Sequence, residues 1–121
     1  MMGFSMPAEW SPQKRIWMSW PHAKADWPGK FAPIPYVFAE MVRVITGSGQ
    51  RVGLLVKDTK ARAEATKILM DTGVDTDLVD MLEVKTNRGW LRDCGPIWAR
   101  DGMGGFTALN WKFTGWAKYA N

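Results

Sequence analysis

The sequence predicts a mixed α/β fold that ends in an antiparallel hairpin. Two short apolar stretches typical of strands, residues 16–20 and 51–56, each precede a segment with the apolar spacing of a helix. An Asp-Gly-Met-Gly-Gly turn at residues 101–105 separates two further stretches typical of strands, which predicts the hairpin. The predicted order is therefore strand, helix, strand, helix, strand, loop and hairpin, and the first two strand–helix pairs are compatible with a parallel sheet.

The first strand and helix are predicted from apolar pattern and prolines. Residues Ile16–Trp20 are short, apolar and aromatic and end at a proline, as a buried strand does. The following stretch, residues 22–35, contains three prolines and is predicted to be a loop. Apolar residues then recur at three- and four-residue spacing over Tyr36–Thr46, which predicts an amphipathic helix that ends at Gly47-Ser48-Gly49.

The second strand and helix follow at once. Arg51–Val56 is rich in Val and Leu and predicts a strand. Either Asp58 or Thr59 can cap the next helix, which we expect to run to about Met70. Its predicted inner face consists of Ala61, Ala65, Ile68 and Leu69. A third strand is predicted over Val79–Lys85.

The last predicted elements are the two strands of the hairpin. The first covers Pro96–Arg100 and the second covers Phe106–Phe113. After them, residues 114–121 end the chain without a helix cap or a polar tail, just beyond two more aromatic residues. Because a domain does not usually close in this way, we expect a fragment of a longer domain.

Length and composition limit the class of protein. A chain of 121 residues is one domain at most, and its 46% apolar and 23% charged residues are ordinary for a folded chain. The single Cys excludes an intrachain disulfide, and one Cys with one His makes a zinc site held by this chain alone unexpected. No apolar run is long enough to span a bilayer and no signal peptide is evident. We expect a cytoplasmic protein without metal, cofactor or membrane partner.

The stretch Gly89–Pro96 concentrates the chemistry of the sequence. Trp90, Arg92, Asp93 and the only thiol lie within five residues, and flanking Gly and Pro predict a fixed loop rather than a helix. On residue types alone, an Arg92–Asp93 pair beside a core Trp is the favoured structural interpretation. The functional interpretation is a site for an arginine-like group, because a carboxylate receives two guanidinium N–H groups and an aromatic face accepts the flat cation.

Other candidate groups are less suited to chemistry. Cys94 has no nearby base, so we interpret it as a small buried or idle thiol. His22, the only His, lies in the proline-rich loop and is interpreted as a loop residue rather than a ligand. The Gly-rich turn Gly102–Gly105 precedes no helix, which argues against phosphate binding.

A basic and aromatic surface is the third possibility. Its members would be Arg51, Lys112 and Lys118 interleaved with Trp111 and Trp116. The favoured interpretation is that these Trp residues are core and the Lys residues are solvated. The net charge of +4 is too modest to require an anionic partner, so we expect no nucleic acid.

Five motifs resemble those of one enzyme family, in the same order. They are Met6–Trp10, Trp17–Pro21, Trp27–Gly29, Trp90–Pro96 and Asn110–Tyr119. In this respect the chain resembles the agmatine deiminases of the bacterial peptidyl-arginine deiminase family. The resemblance covers residues 6 to 119 and corresponds to the N-terminal part of such enzymes.

The resemblance implies a fold and an activity. The implied fold is a pentein-type α/β-propeller, of which this chain would be an incomplete fragment. The implied reaction is hydrolysis of agmatine to N-carbamoylputrescine and ammonia, in putrescine and polyamine biosynthesis, without metal or organic cofactor. A distant Cys thiolate and a His perform the chemistry in the family. The resemblance assigns to Asp93 the catalytic, guanidinium-holding carboxylate and to Trp90 a place beside it as a substrate-binding residue.

The sequence also departs from the family. Arg88 stands where an acidic residue is common, and we expect it to weaken binding of a cationic tail. Ala117 and Lys118 replace a Gly-Gly pair, and the catalytic His and Cys segments have no counterpart. We therefore expect residues 1–121 alone to be inactive. Three alternatives stay open. The chain can be a non-catalytic binding or assembly module, whose exposed edges are covered by a partner or by self-association into a homo-oligomer. It can also be part of a peptidyl-arginine deiminase, or a weak nucleic-acid binder.

Overall fold

A computed structural model describes residues 3–118 of the chain. Their backbone divides into two compact units, which are residues 13–89 and the combination of residues 3–12 with residues 90–118. We call the first the sheet unit and the second the hairpin unit. Tyr119, the last residue of the fifth motif, lies outside the described residues. The mixed α/β class predicted from the sequence is confirmed.

The sheet unit is a three-stranded parallel sheet with two helices. Its elements are β1 (Ile16–Ser19), α1 (Ile34–Gly47), β2 (Val52–Val56), α2 (Thr59–Asp71) and β3 (Val79–Glu83). The strand order is β1-β2-β3 with parallel pairing throughout, as the strand–helix alternation suggested. Ile16 aligns with Val52, and Val52 aligns with Val79.

Helix α1 begins two residues earlier than the apolar pattern predicted. Pro33 occupies its N-cap and Pro35 lies in its first turn. Proline is tolerated there because the first helical N–H groups have no partner within the helix. The prolines that predicted a loop up to residue 35 therefore start the helix. Two members of the apolar pattern, Val37 and Met41, lie on its exposed side, with 51% and 46% of their surface accessible.

Helix α2 agrees with its prediction in cap and inner face. The Asp58 side chain accepts a hydrogen bond of 2.8 Å from the Ala61 amide, so Asp58 rather than Thr59 is the cap. The four predicted inner residues, Ala61, Ala65, Ile68 and Leu69, are all buried. Together with strand residues they form one core, whose largest fully buried members include Trp20, Leu54, Leu69 and Val42.

The predicted strands are longer than the observed ones. Backbone hydrogen bonds between strands nevertheless continue one residue past the ends of β1 and β3. The Trp20 amide donates to the Leu55 carbonyl at 2.8 Å, one residue beyond β1. The Val84 amide donates to the Val56 carbonyl at 2.8 Å, one residue beyond β3. The last two residues of β3 are exposed, although they still pair with β2.

The hairpin unit contains α3 (Leu91–Cys94), β4 (Ile97–Arg100) and β5 (Phe106–Leu109). The two strands pair antiparallel, with Ile97 opposite Leu109, as predicted. Strand β5 ends four residues before the predicted boundary at Phe113. Ser5 extends the sheet by one bridge to Arg100, with amide-to-carbonyl distances of 2.9 and 2.7 Å. No helix within residues 3–118 has the length and apolar character to cross a membrane.

Candidate functional site

The Trp90–Pro96 motif folds as a single helical turn, so the predicted loop is wrong. The Asp93 and Cys94 amides both donate to the Trp90 carbonyl, at 3.1 and 3.3 Å, and the Gly95 amide donates to the Leu91 carbonyl at 2.7 Å. The flanking Gly89 and Gly95-Pro96 end regular structure, as expected, but four residues remain between them. Four residues are enough for one hydrogen-bonded turn.

Glycine is required at position 95 because the chain there passes very close to the backbone of Leu91. A Cβ at this position would lie 2.6 Å from the Leu91 carbonyl oxygen, well inside contact distance. The obstacle is backbone, which cannot rotate away as a side chain can. The glycine of the motif therefore fixes the path by which the chain leaves α3.

Asp93 receives a hydrogen bond from a distant motif. The indole Nε1–H of Trp116 points to Oδ1 of Asp93 at 3.4 Å, which is long for such a bond. The Trp116 ring is oriented by Phe113, whose ring centroid lies 4.8 Å away in an edge-on arrangement at 89°. The structure thus brings the Trp90–Pro96 motif and the Asn110–Tyr119 motif together at this carboxylate. The sequence offered no signal for this pairing beyond the presence of both motifs.

Trp90 lies at the N-cap of the turn that carries Asp93. Its side chain is 38% exposed. Trp90 and Asp93 lie three residues apart at this turn. Asp93 is itself exposed. One short turn therefore carries an accessible carboxylate and a partly exposed indole, two kinds of group that bind planar cations.

Cys94 is exposed, so of the two alternatives, a buried or an idle thiol, the buried one is wrong. Its Sγ donates to the Trp90 carbonyl at 3.2 Å. This contact is local to the helical turn and brings no base to the thiol. Activation of a thiol needs a base or a cation within reach.

His22 is held by backbone groups of the sheet unit. Its Nδ1 lies 3.2 Å from the Trp20 carbonyl oxygen and its Nε2 lies 3.0 Å from the Thr86 carbonyl oxygen. A carbonyl oxygen only accepts, and a neutral imidazole carries one N–H, so the ring donates to one of these two oxygens and lies close to the other. Among residues 3–118, no three His, Cys, Asp or Glu side chains are grouped so that they could hold a metal ion.

Arg88 forms an ion pair with Asp26 within the sheet unit. The Asp26 side chain is only 5% exposed and that of Arg88 is 25% exposed. The positive charge of Arg88, the residue that departs from the usual motif, is therefore paired with a carboxylate. Sequence reasoning missed this partner because Asp26 lies far away in the chain, inside a segment interpreted as a loop.

The structure corrects the sequence interpretation of the basic and aromatic residues in two ways. Trp111 and Trp116 are 71% and 42% exposed, so the interpretation of these two residues as core is wrong. Arg51 pairs with Asp80 at 2.8 Å, and Arg15 reaches the same carboxylate at 2.9 Å. The hydrogen bond from Arg51 lowers the pKa of Asp80 most; burial opposes it, and the charges of Arg51 and Arg15 add further lowering.

Two backbone amides of the Gly-rich hairpin turn donate hydrogen bonds within the turn itself. Oδ1 of Asp101 accepts from the Met103 amide at 2.9 Å and from the Gly105 amide at 2.7 Å. This is an Asx-type turn, in which an Asp side chain replaces a backbone acceptor. The two amides are therefore occupied, in agreement with the sequence argument against phosphate binding.

With the geometry in place, comparison with known proteins gives the family. A sequence-family model described as Porphyromonas-type peptidyl-arginine deiminase matches residues 5–121. The chain belongs to this family. The resemblance to agmatine deiminases is confirmed as well, since several relatives carry that name.

Three relatives of this deiminase-family chain show the extent of the match. A provisionally named agmatine deiminase from Streptomyces avermitilis is 34% identical over 116 residues, which are 94% of this chain and 31% of the relative. An agmatine deiminase from Ectopseudomonas mendocina is 29% identical over 97% of this chain and 30% of its own length. The structure of a Cys-to-Ser variant of the C. jejuni agmatine deiminase with substrate bound matches with a TM-score of 0.80 and 28% identity, over 98% of this chain and 33% of that one. The chain thus spans about a third of the length of these relatives.

One departure from the usual deiminase-family motif has a visible backbone consequence. Trp116 and Ala117 both have φ of +54°, in the left-handed region that glycine adopts most easily. Ala117 stands where the motif usually has its first glycine. Ala117 therefore adopts this conformation at a steric cost that glycine would not have.

Proposed function

We propose that this chain is the guanidinium-binding part of an agmatine deiminase-like amidinohydrolase. The complete enzyme would hydrolyse agmatine to N-carbamoylputrescine and ammonia in the cytoplasm, without metal or cofactor. The chain would contribute a module of a pentein-type propeller. The observation that carries the proposal is the accessible Asp93 carboxylate, presented on a one-turn helix next to Trp90 and contacted by Trp116.

Asp93 would hold the guanidinium group of the substrate. An ionised carboxylate accepts two parallel N–H groups from a guanidinium, and such charge-assisted bonds are about twice as strong as neutral ones. Two fixed N–H···O bonds also set the plane of the guanidinium. In hydrolysis, a carboxylate in this position favours the positive charge that makes the central carbon electrophilic.

Trp90 would pack against the flat side of the same group. A guanidinium over an indole face gains about 0.5–1 kcal/mol at an exposed site and more when desolvated. Trp116 would keep Asp93 in place by its indole N–H to Oδ1, which has a further lone pair for the substrate. The three side chains belong to two motifs of the family, which explains why both occur in the chain.

We further propose that residues 1–121 by themselves do not turn agmatine over. Attack on a guanidinium carbon requires an activated nucleophile. The only thiol of this chain, that of Cys94, donates a hydrogen bond to the Trp90 carbonyl oxygen. Binding without turnover is the expected behaviour.

The test is a titration of the chain with agmatine, followed by the indole N–H signals in NMR spectra. Binding should shift the Trp90 and Trp116 signals, and Asp93→Asn should weaken binding by at least about tenfold, which corresponds to about 1.4 kcal/mol. Asp71→Asn, which removes an exposed carboxylate on α2, is the matched control and should bind as the unmodified chain does. Equal affinity of Asp93→Asn and the unmodified chain would refute the assignment of Asp93. Release of ammonia from agmatine by the chain alone would refute its inactivity.

A second function, assembly with another protein surface, is favoured by the hairpin unit. Several of its large apolar side chains are exposed: Ile97, Trp98, Phe106 and Trp111 have between 47% and 71% of their surface accessible. Exposed apolar residues of this size mark interaction surfaces in folded proteins. Sedimentation of the chain across a concentration series would decide, because a monomer at every concentration contradicts self-association into a homo-oligomer. Citrullination assays with a peptidyl-arginine substrate, in a complete protein that contains this segment, would separate that activity from the agmatine reaction.

A further inference from the structure

The segment Thr86–Gly89, which links β3 to the Trp90–Pro96 motif, is held by the loop that follows β1. The Nε2 atom of His22 lies 3.0 Å from the Thr86 carbonyl oxygen. The other ring nitrogen lies 3.2 Å from the Trp20 carbonyl oxygen, at the end of β1. The imidazole therefore lies between the end of the first strand and the chain beyond the third, and it can donate its N–H to either carbonyl oxygen.

A second tie lies two residues further along. The guanidinium of Arg88 pairs with Asp26, whose side chain is 5% exposed. A carboxylate this well buried is costly to leave without its partner, so the pair fixes Arg88 firmly. Asp26 belongs to the same loop as His22.

The backbone of the segment also packs on β1. A Cβ at Gly89 would lie 3.5 Å from the Ser19 carbonyl oxygen, which is ordinary contact distance. Gly89 therefore runs directly against the last residue of β1. A contact at Thr86, an ion pair at Arg88 and the closeness of Gly89 to Ser19 thus hold this segment at the carboxyl end of the parallel sheet.

We propose that His22 and Asp26 are positioning residues that fix the segment Thr86–Gly89 and, through it, the start of the Trp90–Pro96 motif. Gly89 is bonded to Trp90, and consecutive Cα atoms are about 3.8 Å apart, so ordering the first limits the second. A binding group whose backbone is ordered in advance loses less freedom when the ligand binds. This proposal rests on the proposed function for its ligand, since it concerns binding of a guanidinium at Trp90 and Asp93.

The experiment compares Asp26→Asn with the unmodified chain in two measurements. The first is backbone amide relaxation, in which we expect the order parameters of residues 87–90 to fall from about 0.85 to below about 0.6. The second is agmatine affinity, which should fall by at least about fivefold although Asp26 is not one of the proposed ligand groups. Order parameters of α1 and β2 should stay unchanged, and Asp26→Glu, which retains a carboxylate, should restore part of both effects.

Glu40→Gln is the matched control for loss of a paired carboxylate. Glu40 binds Arg43 through two hydrogen bonds of 2.7 and 2.6 Å on the exposed side of α1. This variant should leave residues 87–90 and agmatine affinity unchanged. A change of the same size in this control would overturn the proposal, because the effect would then follow from lost charge alone.

Other outcomes also decide the question. Unchanged order at residues 87–90 in Asp26→Asn would overturn the proposal, as would an equal loss of order in α1 and β2, which indicates a general role in folding. If Asp26→Asn does not fold, His22→Asn tests the contact at Thr86, because it leaves the ion pair of Asp26 with Arg88 in place. If the unmodified chain does not bind agmatine, the proposed function fails, while the order parameters still decide whether His22 and Asp26 position the segment.

Discussion

The indole ring of Trp17 lies over Gly53 on the neighbouring strand. The two residues are aligned partners in the pairing of β1 with β2, and a Cβ at Gly53 would lie 2.5 Å from Cε3 of Trp17. The guanidinium carbon of Arg15 lies 5.5 Å from the centre of the same ring. A glycine in an otherwise Val- and Leu-rich strand is thus explained by the aromatic ring that covers it.

Gly53→Ala should destabilise the chain through this contact. The added methyl group must displace an indole that is about half exposed, and overpacking of this kind costs about 1–3 kcal/mol. Urea unfolding of Gly53→Ala would measure the cost. In a Trp17→Ala background the same change should cost much less, and an equal cost in both backgrounds would show that the ring is not the cause.

Gly95→Ala should disturb α3, where the obstacle is backbone. The new Cβ would press on the Leu91 carbonyl oxygen and break the hydrogen bond of 2.7 Å that closes the turn. We expect a shift of the Trp116 indole N–H signal and a loss of about 1–3 kcal/mol in the stability of the turn. Gly102→Ala is the control, because its nearest neighbour, the Gly3 carbonyl oxygen, would be 3.8 Å away. Equal spectra for Gly95→Ala and the unmodified chain would contradict the close approach.

Ala117→Gly should stabilise the hairpin unit. Ala117 has φ of +54°, and the left-handed conformation costs a residue with a Cβ about 1–2 kcal/mol. The greater freedom of glycine in the unfolded chain offsets part of this, so we expect a net gain of about 0.5–1 kcal/mol. Ala108→Gly in β5, where glycine has no such advantage, should instead destabilise. Thermal unfolding of both variants measures the difference, and a loss of stability in Ala117→Gly would argue against the observed backbone conformation.

Stability should fall in acid because of Asp80. Its pKa is lowered in the folded chain, chiefly by the hydrogen bond from Arg51. A lowered carboxyl pKa adds stability that is fully present above the unfolded value of about 3.9 and disappears as pH falls through the lower, folded value. Asp80→Asn should remove this part of the acid dependence. Urea unfolding at a series of pH values between about 6 and 2 tests it, and identical pH profiles for the two proteins would contradict the role of the pair.

Trp20→Phe should be tolerated far better than the burial of Trp20 suggests. The side chain is 1% exposed, and its Nε1–H has no hydrogen-bond partner within the part of the chain that the structure describes. An unpaired buried donor costs about 1–3 kcal/mol, and phenylalanine removes it. We expect a net change within about 1.5 kcal/mol, against a loss of about 3–5 kcal/mol for Trp20→Ala. Chemical unfolding of both variants would show the contrast, and similar losses would mean that the indole N–H is satisfied in solution.

Features that depend on near neighbours in the chain were predictable from the sequence. A cap at Asp58 or Thr59, the inner face of α2 and the turn at Asp101 each involve residues within a few positions of one another, and the structure chooses Asp58 as the cap. Local spacing is sufficient for these features because hydrogen bonds of caps and turns reach only two to four residues. The parallel order of the first strands also followed, since each strand is succeeded by a helix.

Features that depend on distant pairs were not predictable. The prediction of a loop before α1 failed at Pro33 and Pro35, because a proline both breaks and begins helices and only burial of the first turn distinguishes the two. The partner of Arg88 could not be found, since any of several acidic residues could have met it. The exposure of Trp111 is of the same kind, because a large apolar side chain fits a core or an interaction surface equally well.

By itself, the sequence determined the α/β class, the family and the two residues expected to meet a guanidinium, because motif order and residue chemistry are properties of the chain alone. Only the tertiary structure decided what surrounds those residues: Trp116 at Asp93, and Asp26 and His22 at the segment that precedes Trp90. The physical reason is that side-chain bonds form between atoms a few ångströms apart. How far apart two residues are in the sequence does not indicate whether their side chains will lie this close in the folded chain.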